Sequence, residues 1–360
     1  MPNRRKIGGI GISMNNIYIK PQMLSITEAI NRPIKLVKAV AAFNEEEFIT
    51  SNLRNCYEIF DRILVIEGGI QSQPSELMTL EGHSQDHTLD LIQEFKDKED
   101  VDNKVLLISI KRPWRSLEEQ KNTFVDLCMP GDILVIQDVD EYYRPSDLLR
   151  AKKAFDFMPH MTELSFLMIH MYRDFQHAYV PGAEWSPQPM RLIRLDRGFN
   201  FKNHPTISDI QGHDVYFAPH YLSRKFTLNN AYIFHAGYCR DNMKERLIQK
   251  QKYYQKELAK HDQADKPFNQ KVNEFTNHRE SLDNILLVPT DIIPEEMKQH
   301  PRFNKIDGFY ENKEFKSLWD HDLYRRSHNN EPIELIYNCM TGKSLPYMPK
   351  IYNHIIIEEE

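Results

Sequence analysis

The chain has 360 residues, of which 41% are hydrophobic and 27% charged; this is the balance of an ordinary globular protein, so disordered and fibrous classes are excluded. A formal net charge of −6 gives no overall electrostatic pull toward nucleic acid. The four cysteines (Cys56, Cys128, Cys239, Cys339) form no C-x-x-C pair, which excludes a zinc ribbon or disulfide framework and fits a reducing compartment.

Residues 1–33 read as a mixed leader whose basic start is followed by no signal-like apolar run. No stretch approaches the ~18 uninterrupted apolar residues of a membrane span. The expectation is a cytoplasmic protein without an integral membrane segment. From residue 34 the pattern alternates. Ile34–Val40 reads as a strand, and the following segment has helical spacing through Phe48, Leu53, Tyr57 and Phe60. Ile63–Ile66 is a second strand, followed by a loop rich in Gly, Ser, Gln and Pro and a helix starting near Ser84. Val105–Ile110 is a third strand, and Ser116 with Glu119 matches a capping box opening another helix. Met129–Asp132 ends that helix and Ile133–Ile136 makes a fourth strand.

Short, uniformly apolar strands alternating with helices imply a mostly parallel α/β sheet covered on both faces. Later apolar runs, Leu164–Met171, Met190–Leu195, Tyr216–Ala218 and Tyr232–Phe234, read as partly antiparallel additions. An amphipathic helix is expected over Asp241–Lys260, and periodicity weakens beyond Gln270. The expected organisation is therefore a leader (1–33), a first half (34–145), a second half (146–262) and a C-terminal helical or irregular extension (263–360).

The fourth strand delivers Asp138, Asp140 and Glu141 at its C-terminal end, where open α/β sheets bind ligands. In extended backbone, residues i and i+2 share a face, so Asp138 and Asp140 are expected to point into one site. Adjacent carboxylates repel unless a cation intervenes, and hard oxygen ligands suit Mn2+ or Mg2+.

These features resemble a family 2-type glycosyltransferase of the GT-A fold between about Ile34 and Leu258. The family's N-E-E segment is matched by Asn44-Glu45-Glu46 after the first strand. Its acidic position and S-x-D-x-T stretch are matched by Glu67 and by Ser84, Asp86 and Thr88, with Gly68–His83 inserted between them. Its Q-x-N helix is matched by Gln120 and Asn122, and its D-x-D-E by Asp138 to Glu141. The resemblance implies a UDP- or GDP-sugar donor and single-displacement transfer with inversion. Ala42, Asn44, Glu45, Glu67 and Asp86 would line the nucleotide pocket, with Asp86 accepting from base or ribose. Arg112 or Arg115 would pair with phosphate beside a stacking face on Trp114. Asn122, Val139 and Arg240 would complete the donor contacts, and His235 would join Asp138 and Asp140 on the metal or touch the pyrophosphate. The general base is sought among Glu184, Asp209 and Asp214, with Glu184 first because Trp185 adjoins it.

Glycan, lipid, protein and nucleic-acid acceptors are all compatible with these residues. His204, His213 and His220 fit no standard zinc spacing and read as loop histidines. A sugar-phosphate nucleotidyltransferase is the alternative enzyme class, but it normally has a Gly-rich turn where this chain has Ala41-Ala42-Phe43-Asn44-Glu45. A non-catalytic transferase-like binding protein is the other alternative, and the intact D-x-D argues against it.

Overall fold

The computed structural model describes residues 33–158, 161, 163–180, 189–195, 200–203, 206–208, 225–241, 282–305, 308–330 and 353–355. The expected candidates Glu184, Asp209 and Asp214, the three loop histidines, Tyr216–Ala218 and nearly all of the 241–260 helix lie outside those residues.

The strands β1 (Leu36–Ala42), β2 (Arg62–Glu67), β3 (Val105–Ser109) and β4 (Ile133–Asp138) pair in the order β3-β2-β1-β4, all parallel. Alternate residues of these strands face opposite layers. Val40, Ile63 and Val65 pack with Leu53 of α1 (Ile49–Arg54) and with Ile92 and Phe95 of α2 (Thr88–Lys98). Val37, Ala39, Leu64 and Ile66 pack with Phe124 of α3 (Leu117–Asp126) on the other face. Burial on both faces explains why the strands are uniformly apolar rather than alternating.

Beyond β4 the sheet becomes mixed. After β5 (Glu141–Tyr143) and α4 (Pro145–Phe157) come β6 (Glu163–Tyr172), β7 (His177–Tyr179) and β8 (Met190–Arg194). The antiparallel β8 lies between β4 and β6, and β11 (Lys225–Tyr238) runs parallel to β6 on its far edge. Strands β9 (Asn200–Asn203) and β10 (Thr206–Ser208) form a separate ribbon. The fold class is the expected one: α/β, with a parallel first half and a partly antiparallel second half.

Two elements differ from expectation. The first helix is confined to Ile49–Arg54 because the chain on either side passes through the left-handed region, at Asn44 (φ 54°) and Cys56 (φ 58°), which a right-handed helix cannot include. The described part of the C-terminal extension is built into the sheet: β12 (Ile285–Leu287) pairs with β7 and with β13 (Lys316–Ser317), while β14 (Asn353–Ile355) pairs with β11. The short helices α5 (Glu295–Gln299), α6 (Pro301–Asn304) and α7 (Asp322–His328) accompany it. Among the described residues no helix is long and apolar enough to cross a membrane.

Lys38, in the middle of β1, is fully buried. Its Nζ donates to the carbonyls of Asn52 and Asn55 (3.3 Å to the latter), closing the C-terminal end of α1. Burial lowers its pKa from 10.5 to about 7. Between those values the unfolded chain binds a proton that the folded chain lacks, so this group makes stability rise with pH across the window. Lys38→Met is expected to flatten that rise, measured as the difference in urea-unfolding free energy between pH 7 and about pH 9. A slope equal to that of the parent chain would show that Lys38 stays charged in the fold.

Candidate active site

The turn at the end of β4 is fastened from below. Buried Asn52 of α1 donates through Nδ2 to the carbonyls of Asp138 (3.2 Å) and Glu141 (3.1 Å), and buried Gln137 donates to the Glu141 carbonyl. Val139 is buried and pins the turn to the core. Strand β4 ends at Asp138 and residues 139–140 form a turn. The i, i+2 rule therefore does not apply, and the two acids have different partners.

Asp138 has a 60% exposed side chain whose Oδ2 accepts from Arg191 of β8 at 2.7 Å. The same guanidinium binds Glu141, whose side chain is fully buried. Burial raises the Glu141 carboxyl to about 8, and Arg191 pulls it back toward ionisation. Lys121 of α3 lies in the field of these acids, with burial lowering its amine to about 8 and Asp138 opposing that shift.

Asp140 faces the other way, into the second half. Its Oδ1 lies 3.7 Å from His235 Nε2, and its Oδ2 accepts from Arg240 at 3.2 Å. Strand pairing enforces this meeting: His235 stands opposite Glu141 in the β11–β5 pairing, and the Ala236 amide donates to the Asp140 carbonyl at 2.7 Å. Arg240 also clamps Glu45 and lies over the Phe48 ring, 4.4 Å from its centroid. It thus joins the turn after β1 to the turn after β4. A side chain at Gly237 would place its Cβ 2.7 Å from the His235 ring and 2.9 Å from Asp140 Oδ2, so glycine is what lets these two groups share the space.

Asp140 and His235 offer a carboxylate and an imidazole on one rim, a donor set suited to Mn2+ when phosphate oxygens and water complete the shell. Asp138 Oδ2 is engaged by Arg191 at 2.7 Å, so this acid would reach a cation in competition with that ion pair. Among the described residues, no three His, Cys, Asp or Glu side chains converge on a metal-sized point. Two donors do not complete a shell, so a cation here would draw its remaining ligands from a bound molecule and water.

The expected nucleotide-pocket residues sit together at the C-terminal ends of β1 and β2, but much of their hydrogen bonding is internal. Asn44 Oδ1 accepts from the Gln85 amide (2.9 Å) and its Nδ2 donates to the Leu77 carbonyl (2.8 Å). Glu67 is fully buried, accepting from the Ser84 amide at 2.7 Å and meeting His83 Nδ1 at 2.8 Å and Ser109 Oγ at 3.2 Å. Ala42 is buried in the core, and it is Ala41 beside it that is exposed. Trp114 is 3% exposed and donates through Nε1 to the Glu67 carbonyl at 3.1 Å. It is a packing residue under the 68–83 loop, contrary to the expected stacking face. Arg112 forks onto Glu119, and the Arg115 amide donates to the same carboxylate, so Ser116 supplies only its own half of the expected capping box. Asn122 exchanges hydrogen bonds with the backbone of Phe201 (2.8 and 2.5 Å), tying α3 to β9.

Asp86 shows what such internal bonding implies. Its Oδ1 accepts from the Thr88 amide (3.0 Å) and hydroxyl (2.5 Å), and its Oδ2 from the Glu46 amide (3.1 Å). The carboxylate joins the turn after β1 to the start of α2. Asp86→Ala is expected to cost about 1–2 kcal/mol of stability in urea unfolding, as the loss of a capping side chain does. Nucleoside diphosphate affinity by calorimetry should hold; a loss of affinity at unchanged stability would hand the side chain to the ligand.

Sequence reasoning missed Arg191, His170 and Lys121. Arg191 is one of two arginines in an apolar run and His170 a single histidine in another, so neither carries a local signal; only the sheet order brings them to this rim. A cavity of about 400 Å³ between α1 and the C-terminal helices is lined by residues including Arg54, Glu296 and His300, and by none of Asp138, Asp140 or His235.

No family model matches the chain, and no curated protein matches it. Among solved structures, the chain is similar to a Pyrobaculum calidifontis mannosyltransferase in complex with GDP-Man and Mn2+, at 15% identity and a TM-score of 0.42, over 64% of this chain and 65% of that one. It is also similar to S. aureus TarS, at 16% identity and a TM-score of 0.31, over 45% of this chain and 47% of that one. A third similarity is to Mycobacterium tuberculosis glucosyl-3-phosphoglycerate synthase in complex with Mn2+, UDP and glucosyl-3-phosphoglycerate, at 16% identity and a TM-score of 0.28, over 40% of this chain and 48% of that one. The match spans less than two thirds of each of these proteins, and likeness at this level bears on no residue's role.

Proposed function

We propose that the chain is a GT-A-type glycosyltransferase that uses a divalent cation and moves a sugar from a UDP- or GDP-sugar to an acceptor nucleophile. The observation that carries this reading is the meeting of Asp140, His235 and the Arg240–Glu45 clamp at the C-terminal end of a parallel strand. Ligands of open α/β sheets bind at such ends. The similar mannosyltransferase and synthase are described with Mn2+ and with GDP-Man or UDP respectively, which agrees with the same donor class.

Asp140 and His235 would hold the cation, with Asp138 as a further ligand. When bound, the cation supplies Lewis-acid stabilisation of the departing nucleoside diphosphate. Arg240 holds the Asp140 carboxylate and the Glu45 turn in fixed relation, so the donor rim is preorganised before substrate arrives. Transfer with inversion requires a base opposite the leaving group, and Glu184, Asp209 and Asp214 are the candidates. Residues 34–145 would serve the nucleotide and 146–262 the acceptor, with 263–360 as an extension.

The test is a screen of UDP- and GDP-sugars for release of the nucleoside diphosphate to water, with and without Mn2+. At least one donor should be hydrolysed in Mn2+ and spared in EDTA. Hydrolysis indifferent to EDTA would remove the cation from the reading. Metal-dependent binding without turnover on any acceptor would favour the non-catalytic alternative.

A further inference from the structure

Resting on the cation reading above, we propose that His170 is a positioning residue: it accepts the Nδ1 hydrogen of His235 and so presents the bare Nε2 of His235 to the cation. Strands β6 and β11 run parallel with His170 directly opposite His235. The two Nδ1 atoms are 2.9 Å apart, and the rings meet edge to face at 83° with centroids 4.9 Å apart. At that distance one nitrogen donates and the other accepts.

Chemistry decides which. His235 Nε2 lies 3.7 Å from Asp140 Oδ1, beyond direct hydrogen-bond length and within the separation of two ligands on one ion. A cation there needs the Nε2 lone pair, so His235 carries its hydrogen on Nδ1. His170 then accepts at Nδ1 and carries its own hydrogen on Nε2. The His235 ring has little freedom to do otherwise. Tyr238 packs edge-on against it at 5.3 Å and tilted against His170 at 5.7 Å, and a Cβ at Gly237 would lie 2.7 Å from the His235 ring. Metal-bound histidines generally hold their ring orientation and tautomer through such a partner, and losing it costs roughly 10- to 100-fold in metal affinity.

The experiment measures Mn2+ affinity of the full chain by electron paramagnetic resonance of the free ion, with and without UDP or GDP. His170→Leu and His170→Phe remove the acceptor. His170→Asn places an amide oxygen near the position of Nδ1. The Leu and Phe variants should weaken Mn2+ binding by roughly 10- to 100-fold, and the Asn variant should regain most of it. In a His235→Ala background, His170→Leu should cause no further loss. Equal weakening by Asn, Leu and Phe, or additive losses with His235→Ala, would show that His170 only packs, and would overturn the proposal while leaving the cation in place. A parent chain that holds no Mn2+ would overturn both, so the two failures are told apart by the parent measurement alone.

Discussion

Asp140→Asn is expected to cut glycosyl transfer by at least about 100-fold, since even residues that merely orient metal ligands are worth about 10- to 100-fold. Asparagine keeps the shape of the side chain and can still accept from Arg240 at the 3.2 Å contact, so the turn should stay folded and the circular dichroism spectrum unchanged. What it loses is the charge that pairs a cation with His235. The Mn2+ concentration for half-maximal turnover should rise with the loss. Asp138→Asn should be the milder change, because Asp138 is 60% exposed and its Oδ2 is engaged by Arg191. Full activity of Asp140→Asn at the parent's Mn2+ requirement would move the metal away from Asp140. A larger loss in Asp138→Asn than in Asp140→Asn would mean that Arg191 yields its acid to the ion.

That ranking of the two acids is the clearest case of what the sequence could and could not carry. The four parallel strands were legible because each is an apolar run between turn residues, and strand ends are where a site must form. The rule that put Asp138 and Asp140 on one face assumes that extended backbone continues through both, and here it stops at Asp138. Trp114 was read by residue type as a stacking face, whereas the 68–83 loop folds back over it; Asp86 was read through the S-x-D-x-T resemblance, and its carboxylate accepts from Thr88 and from the Glu46 amide. His235 entered through the family resemblance, and it lies inside β11, which runs on to Tyr238. Its partner did not enter, because a register between β6 and β11, about 65 residues apart in sequence, leaves no local pattern. Arg191 was hidden for the same reason: β8 is inserted antiparallel between β4 and β6, an order that neither periodicity nor spacing encodes.

The Glu141–Arg191 pair yields the largest expected change in stability. Glu141 is fully buried, and its carboxylate meets the Arg191 guanidinium, which also binds Asp138 at 2.7 Å. Without Arg191 the buried Glu141 keeps only the Asp138 amide at 3.3 Å, and its carboxyl, which burial already raises to about 8, must take up a proton or stay charged without its cation; breaking a buried pair in this way costs about 3–5 kcal/mol. Arg191→Leu should therefore lower the urea midpoint far more than an exposed arginine would, for instance Arg115→Leu, where solvent already screens the charge. Two further variants separate the cause from simple loss of packing. Arg191→Leu with Glu141→Leu removes both charges, and replacing a whole buried pair by apolar groups is close to neutral, so the double variant should recover most of the lost stability. Arg191→Lys keeps the charge but not the two-pronged fork that reaches both acids, and should fall between the parent and Arg191→Leu. If the double variant is no more stable than Arg191→Leu alone, the orphaned Glu141 carboxylate is not the source of the loss, and Arg191 stabilises the β4–β8 junction through its packing.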